Sequence, residues 1–148
     1  MKPFRKILVP VDFSACSKEA VRAAADVATH YGAEVCLINV YEPINYALPG
    51  NYPFYMPGQL ENILAECEKH LAASKKDAEA AGIAHAQTQQ LQGIPATEIV
   101  EFAKKHGFDL IVMGTHGRTG LQHVMIGSVA EKVVRRAPCA VLTVRAAE

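Results

Sequence analysis

The chain has 148 residues, a length that fits one domain spanning residues 1–148. Its 15 basic and 15 acidic side chains cancel, which argues against a nucleic-acid-binding surface and against attraction to an anionic membrane. The apolar run of residues 7–11 contains Pro10 and is too short for a signal-peptide core or a membrane span. The four cysteines form no C-x-x-C pair, which suits a reducing compartment. We therefore expect a cytoplasmic protein without a nucleic-acid or membrane partner.

Strand-like apolar runs alternate with helical patterns along the whole chain. The predicted strands are residues 6–11, 35–40, 84–91, 110–113 and 139–144. The predicted helices are one whose apolar positions stop at Gly32, a long one from Gln59 to before Gly82, a third from Pro95 to Gly107, and a fourth over Ser128–Arg136. This alternation predicts an α/β fold, a three-layer sandwich in which a five-stranded parallel sheet lies between layers formed by four helices.

Two segments depart from the regular pattern. The third predicted strand is weakly apolar, which is typical of a sheet edge with one face in water. Residues 41–58 contain four of the five tyrosines and four of the eight prolines, so they fit neither a helix nor a central strand. We expect a long surface loop there. Its role stays open between a lid or contact surface and a self-packed aromatic loop.

The most informative segment is residues 113–128, where Gly114, Gly117, Gly127 and Ser128 form the pattern G-x2-G-x9-G-S. It follows a predicted buried strand and leads into the fourth helix. Glycines there leave backbone N–H groups accessible, and the helix dipole adds partial positive charge. The segment therefore predicts a phosphate-binding turn that needs no lysine. Gly127→Val should remove most of the ATP affinity and leave the fold intact, and Ser128 could cap the helix or donate to phosphate.

Asp12 directly follows the first predicted strand, where its side chain could point at the same edge of the sheet. Its carboxylate could accept a hydrogen bond from a ribose hydroxyl, or help to hold a Mg²⁺ that sits on phosphate oxygens. The alternative is a cap for the following helix, a role that Ser14 or Ser17 could share.

Three segments together resemble the universal stress protein family. Residues 6–14, KILVPVDFS, look like that family's first strand and proline-valine-aspartate turn; residues 35–40 look like its second strand; and residues 114–128 fit its ATP-binding signature. The resemblance runs nearly end to end and is weakest over residues 41–58. It implies the strand order 3-2-1-4-5, with a crevice between the first and fourth strands where open parallel sheets bind ligands.

The resemblance implies an ATP-binding regulatory or stress-response module, with AMP or ADP as alternative nucleotides and Mg²⁺ on the phosphates. It places the backbone at Val40 against adenine and gives Asp12 a contact with the nucleotide. Pattern and resemblance together predict these nucleotide-binding residues: Pro10, Val11, Asp12, Val40, Met113, Gly114, His116, Gly117, Arg118, Gly127, Ser128 and Val129. Asp12 is also the predicted metal ligand, and no catalytic residue is predicted.

Two other functions stay open. The chain could be a slow ATPase or another adenine-nucleotide-processing enzyme, although the S-G-G-x-D-S loop of ATP pyrophosphatases and a Walker lysine are both missing. It could also be a scaffold whose nucleotide is structural. His116 and His123 invite a catalytic role, but the spacing suggests no Ser-His-Asp or Cys-His arrangement, and hydrogen-bond donation or exposure to solvent is the preferred interpretation.

The last predicted strand, Cys139 to Val144, would lie at the second edge of the sheet. It is apolar and has no lysine or internal proline to discourage pairing. This edge predicts a homodimer, which the resemblance also implies. The sequence does not identify any other protein partner.

Overall fold

The computed structural model describes residues 2–42, 58–117 and 126–146. The strands are β1 Lys6–Pro10, β2 Glu34–Tyr41, β3 Ala86–Gln92, β4 Leu110–Gly114 and β5 Ala140–Val144. The helices are α1 Ala15–Tyr31, α2 Gln59–Ala80, α3 Pro95–His106 and α4 Ser128–Arg136. Every predicted element is present, with its bounds close to those predicted. Most of the predicted loop over residues 41–58 lies outside the described residues.

The strands form a parallel sheet in the predicted order, β3-β2-β1-β4-β5. β1 pairs with β2 over its whole length. Its pairing with β4 consists of Ile7↔Leu110 and Leu8↔Ile111, so the two strands separate beyond Leu8. Since the chain winds away from β1 in opposite directions towards β2 and β4, this separation is the switch point of the sheet. It opens a crevice at the carboxyl ends of β1 and β4.

Helices cover both faces of the sheet. Ile7, Val9 and Val11 face a core that α1 and α2 close. Leu8 and Ile111 face a second core that α3 and α4 close. Because both faces of the central strands are buried, these strands have continuous apolar sequences instead of an alternating pattern. The burial of β1 and β4 on both sides fixes their carboxyl ends next to the crevice.

Local sequence explains where the helices begin and end. Ser14 caps α1, since its Oγ accepts a hydrogen bond from the N–H of Ser17 at 3.2 Å. Gly32 and Gly107 end α1 and α3 in the left-handed conformation, each with φ of 67°. α4 ends two residues before Pro138, because Ala137 adopts the extended backbone that a following proline favours.

The helical spacing of Leu60, Ile63, Leu71 and Ala78 predicts one buried face on α2, and this face is only partly buried. Leu71 and Ala78 pack into the core beside α1, whereas Leu60 and Ile63 are 37% and 43% exposed. The carboxyl half of α2 therefore anchors this helix to the sheet. In the described part of the chain, no helix combines the length and the apolar character needed to cross a membrane.

The thiol of Cys36 should make the fold sensitive to alkaline pH. Cys36 is 6% exposed in β2, and burial raises its pKa from 9.0 to about 11 against a smaller opposing effect of Lys6. The folded protein therefore holds the thiol proton more tightly than the unfolded chain does. This contribution to stability is complete below pH 9 and is lost as the pH rises to about 11.

We expect the free energy of unfolding to fall by about 2 kcal/mol more in the wild type than in Cys36→Ala between about pH 8 and pH 11. Urea denaturation at both pH values measures this difference. The other titrating groups are the same in the two proteins, so their contribution cancels. Equal losses in wild type and variant would contradict the prediction.

Candidate functional site

The turn between β1 and α1 holds Asp12 at the crevice. The N–H of Val11 donates to the carbonyl of Ile38 at 2.8 Å, which extends the β1–β2 pairing by one residue. Asp12 Oδ1 accepts a hydrogen bond from the N–H of Ser14 at 3.0 Å. Ser14 is the cap of α1, so the alternative in which Asp12 caps this helix is wrong. The carboxylate instead stiffens the turn through one oxygen.

The end of β4 and the start of α4 are joined directly by hydrogen bonds. The N–H of Thr115 donates to the carbonyl of Val144 at 2.9 Å, which ties the turn after β4 to β5. The N–H of Gly127 donates to the carbonyl of Thr115 at 2.6 Å. Thr115 Oγ1 lies 2.9 Å from His116 Nδ1. The predicted turn and the predicted helix therefore meet at one place, although Arg118, Thr119 and His123 lie outside the described residues.

Gly114 and Gly127 are required by backbone atoms of the protein itself. A Cβ at Gly114 would lie 2.6 Å from Cys16 Cβ and 3.0 Å from the carbonyl carbon of Cys16. A Cβ at Gly127 would lie 2.9 Å from the carbonyl oxygen of Thr115. The sequence interpretation explained these glycines by the approach of phosphate, yet internal packing already demands them. Gly127→Val would disturb the turn, so weaker ATP binding by this variant would not by itself show a contact with phosphate.

Gly117 faces Asp12 across the crevice. A Cβ at Gly117 would lie 2.9 Å from Asp12 Oδ2. This contact involves the tip of a side chain, which can rotate away, whereas the contact at Gly114 involves backbone. The two turns on either side of the crevice therefore meet through the Asp12 carboxylate, with Oδ1 held by Ser14 and Oδ2 against Gly117.

α4 begins at the crevice without a side-chain cap. Gly127 occupies the cap position with an extended backbone, φ −72° and ψ 161°. The N–H of Glu131 donates to the carbonyl of Gly127 at 2.9 Å, which is the first turn of the helix. Helix geometry therefore leaves the N–H groups of Ser128, Val129 and Ala130 without intrahelical acceptors. Ser128 is the first helical residue, so its predicted role as the cap is wrong; its hydroxyl is at the helix surface.

These elements enclose a cavity of about 310 Å³ between the carboxyl ends of β1 and β4. This volume lies at the lower end of the range for small-molecule sites, roughly 300–1,000 Å³. The cavity brings together every predicted nucleotide-binding residue that the structure describes: Pro10, Val11, Asp12, Val40, Met113, Gly114, His116, Gly117, Gly127, Ser128 and Val129. Arg118 lies outside the described residues.

Sequence reasoning missed several lining residues, namely Ser17, Ile38, Pro95, Ile99 and Ala130. Pro95 and Ile99 come from the first turns of α3. A usable signal existed for them, because each crossover helix of a parallel sheet starts at the carboxyl edge where ligands bind. The burial of Ile38 between neighbouring strands gives no such signal, since a core residue and a cavity residue look alike in sequence.

The cavity has an apolar side and a polar side. Ile38, Val40, Pro95, Ile99 and Met113 form the apolar side. The polar side combines the Asp12 carboxylate with Thr115, His116 and the backbone at the start of α4. Such an arrangement can hold a flat apolar group at one end and an anion at the other.

The described residues offer little for a metal bound by protein side chains alone. They contain no cluster of three or more His, Cys, Asp or Glu side chains that could hold an ion. Asp12 is the one carboxylate among the described residues that line the cavity. A single carboxylate fits Mg²⁺ only when phosphate oxygens and water supply the remaining ligands.

A larger cavity, about 600 Å³, lies beside β2, β3 and α3, away from the crevice between β1 and β4. Its walls include the long charged side chains of Lys6, Glu34, Glu98 and Lys105. Lys6 is already engaged, because its Nζ donates to the carbonyl of His106 at 2.9 Å. The smaller cavity lies where parallel sheets bind ligands and has a helix amino end in its wall, so we assign the candidate site there.

Comparison with known proteins agrees with this fold. The chain matches the model of the universal stress protein family over residues 3–145. It belongs to this family. It is 41% identical over 143 residues to the universal stress protein MJ0531 of Methanocaldococcus jannaschii, which covers 96% of this chain and 82% of that protein.

Solved structures of the family share the architecture. The structure of MJ0577, a second universal stress protein of Methanocaldococcus jannaschii, superposes with a TM-score of 0.82 at 30% identity and covers 99% of both chains. A universal stress protein in complex with cAMP superposes with a TM-score of 0.75 at 25% identity, covering 99% of this chain and 100% of that chain. The five-stranded sheet and its strand order are therefore those of the family.

The contacts of the glycines predict different costs for two substitutions. Gly114→Ala should lower the free energy of unfolding by about 1–3 kcal/mol, because its new methyl group meets the Cys16 backbone and α1 must shift. Gly117→Ala should cost less than about half of that, because the Asp12 carboxylate can rotate away. Urea denaturation of the two variants measures both values. The packing argument fails if Gly117→Ala is the more destabilising change.

Proposed function

We propose that the chain binds an adenine nucleotide, ATP with ADP or AMP as alternatives, in the cavity between β1 and β4, and that it acts as a nucleotide-dependent regulatory module in a stress response. The observation that carries the proposal is the start of α4. The N–H groups of Ser128, Val129 and Ala130 lie at the cavity wall with no side-chain cap, and such groups bind phosphate oxygens favourably.

The apolar side of the cavity supports adenine as the base. Val40 and Ile38 from β2, Pro95 and Ile99 from α3, and Met113 from β4 all line the cavity, and Ile38, Ile99 and Met113 belong to one apolar cluster. A flat heterocycle would bury its faces against these side chains, which favours binding through the hydrophobic effect. The cAMP complex of a family member is consistent with an adenine group in this fold.

Asp12 fits a role between base and phosphates. Its Oδ1 is held by Ser14, and its Oδ2 faces the turn at Gly117. The carboxylate can accept hydrogen bonds from ribose hydroxyls, or it can serve as a ligand of Mg²⁺ when the ion also binds phosphate oxygens. Both roles use the carboxylate in the orientation that the Ser14 hydrogen bond favours.

A pair of substitutions at residue 128 tests the contribution of the backbone. Ser128→Pro removes both the hydroxyl and the N–H, whereas Ser128→Ala removes only the hydroxyl. Proline is favoured at the first position of a helix, and Gly127 already has the extended backbone that proline requires before it. We expect Ser128→Pro to bind ATP about 10- to 100-fold more weakly than Ser128→Ala. This is the size expected from the loss of one hydrogen bond to a charged group.

Isothermal titration calorimetry with ATP, AMP and adenosine measures these affinities. Adenosine is the internal control, because a ligand without phosphate should bind both variants equally. Equal ATP affinities of the two variants, with unchanged thermal unfolding, would contradict phosphate binding at α4. A wild-type protein that binds none of the three ligands would overturn the proposal as a whole.

We also infer a homodimer joined through β5. The carbonyl of Val144 points towards β4, since it accepts a hydrogen bond from the N–H of Thr115. Alternate residues of a strand direct their backbone groups to opposite sides, so Val141 and Thr143 present theirs at the free edge. The Leu142 side chain beside this edge is 39% exposed. An apolar edge that no other described strand covers supports pairing with a second copy across a two-fold axis.

The double substitution Ala140→Lys and Leu142→Lys should yield monomers. Both side chains are exposed, whereas Val141 packs against the core beside α4 and is a poorer target. Lysines along the edge place like charges opposite each other in a dimer. Ile63→Lys on α2 is the control, because it adds charge at an exposed apolar residue away from the edge. Light scattering decides: a wild-type mass near 16.0 kDa at micromolar concentration would exclude the dimer.

A cytoplasmic location completes the proposal. Cys16, Cys36, Cys67 and Cys139 are all free thiols in the fold. Free thiols persist in reducing compartments, whereas secreted proteins usually pair them.

A further inference from the structure

Phe13 has an unusual backbone at the edge of the candidate site. Among the described residues it is the one non-glycine residue with positive φ, at 67°. For a residue with a bulky side chain this left-handed conformation costs free energy, because Cβ approaches the following carbonyl oxygen. A strained residue persists only where its surroundings hold it, and such residues cluster at binding sites.

The Phe13 ring contacts α2 in this conformation. Its centroid lies 5.1 Å from that of the His70 imidazole, with the rings tilted by 32°. His70 belongs to α2, and its own side chain is 52% exposed. The ring of Phe13 is also partly buried against the core between α1 and α2. α2 therefore contacts the β1–α1 turn next to Asp12, although His70 does not line the cavity.

The conformation of Phe13 determines how Asp12 is held. The hydrogen bond from the Ser14 N–H to Asp12 Oδ1 spans Phe13, so its geometry depends on the backbone conformation of residue 13. The same bond orients Oδ2 towards Gly117. A change of φ at residue 13 would alter this turn and with it the orientation of the carboxylate.

We propose that His70 is a positioning residue for the nucleotide site: its ring holds Phe13 in the left-handed conformation, which fixes the Asp12 carboxylate at the crevice. This role rests on the proposed nucleotide binding. It makes α2 part of the binding apparatus without any contact between α2 and the ligand.

A double-mutant cycle tests the proposal, because glycine adopts the left-handed conformation without help from a ring. His70→Ala should weaken ATP binding by about 3- to 10-fold, the size expected from losing one aromatic contact. Phe13→Gly should bind ATP with an affinity within about threefold of the wild-type affinity. In the Phe13→Gly background, His70→Ala should have no further effect. His70→Phe keeps a ring at this position and should bind ATP as the wild type does.

His106→Ala is the matched control. His106 makes a similar contact with Phe102 at 4.3 Å on α3, away from the crevice, so its removal should leave ATP affinity unchanged. In the ligand-free protein, hydrogen exchange at the Ser14 amide should be faster in His70→Ala than in the wild type. The exchange rate of the Ser14 amide should be the same in Phe13→Gly and in the double variant Phe13→Gly with His70→Ala.

The possible failures are distinguishable. A wild type that binds ATP, combined with an equal effect of His70→Ala in both backgrounds, would overturn the positioning role alone. So would unchanged affinity and unchanged Ser14 exchange in His70→Ala. A wild type that binds no adenine nucleotide would overturn the proposed function and this role with it. Urea denaturation of each variant confirms that affinities are compared between folded proteins.

Discussion

The hydrogen bond from the Gly127 N–H to the Thr115 carbonyl is the contact on which the candidate site depends. It joins the start of α4 to the end of β4 at 2.6 Å, although eleven residues separate the two along the chain. A side chain at residue 127 would collide with the same carbonyl oxygen. Because this bond fixes the direction of α4, the N–H groups of Ser128, Val129 and Ala130 end at the cavity wall. Ala130 and Val133 pack α4 into the second core, and the bond sets where the start of the helix lies relative to β4.

The glycines of the signature therefore serve the fold before they serve a ligand. Gly114 permits close packing of β4 against α1, Gly117 leaves space for the Asp12 carboxylate, and Gly127 permits the bond to Thr115. A glycine pattern of this kind indicates a particular backbone geometry. The evidence for an anion site is the combination of that geometry with an uncapped helix start at a cavity.

Local patterns predicted the elements well because their causes are local. Gly32 and Gly107 end helices through their own left-handed backbones, and the start of α4 follows from the glycine before it. The strand order required the family resemblance as well, since apolar runs do not encode which strands are neighbours. The cluster of predicted site residues was found because strand ends of a parallel sheet share one edge.

Contacts between distant segments could not be predicted from the sequence. The need for glycine at 114 arises from Cys16, about a hundred residues away, and nothing in either local sequence indicates it. The contact between Phe13 and His70 joins a turn to a helix that follows a different strand. The exposure of Leu60 and Ile63 was also missed, because helical spacing predicts an apolar face but not what covers it.

Regulation by nucleotide requires more than a site that binds phosphate. If the affinity for ATP were about micromolar, roughly −8 kcal/mol, millimolar nucleotide would keep the site filled. The N–H groups of α4 would hold one phosphate of AMP or ATP alike, so they give little discrimination between the two. Asp12 is different, because its negative charge opposes a further phosphate unless a cation lies between them. Under the proposed function, selection between nucleotides therefore depends on Asp12, and on whatever holds its carboxylate in place.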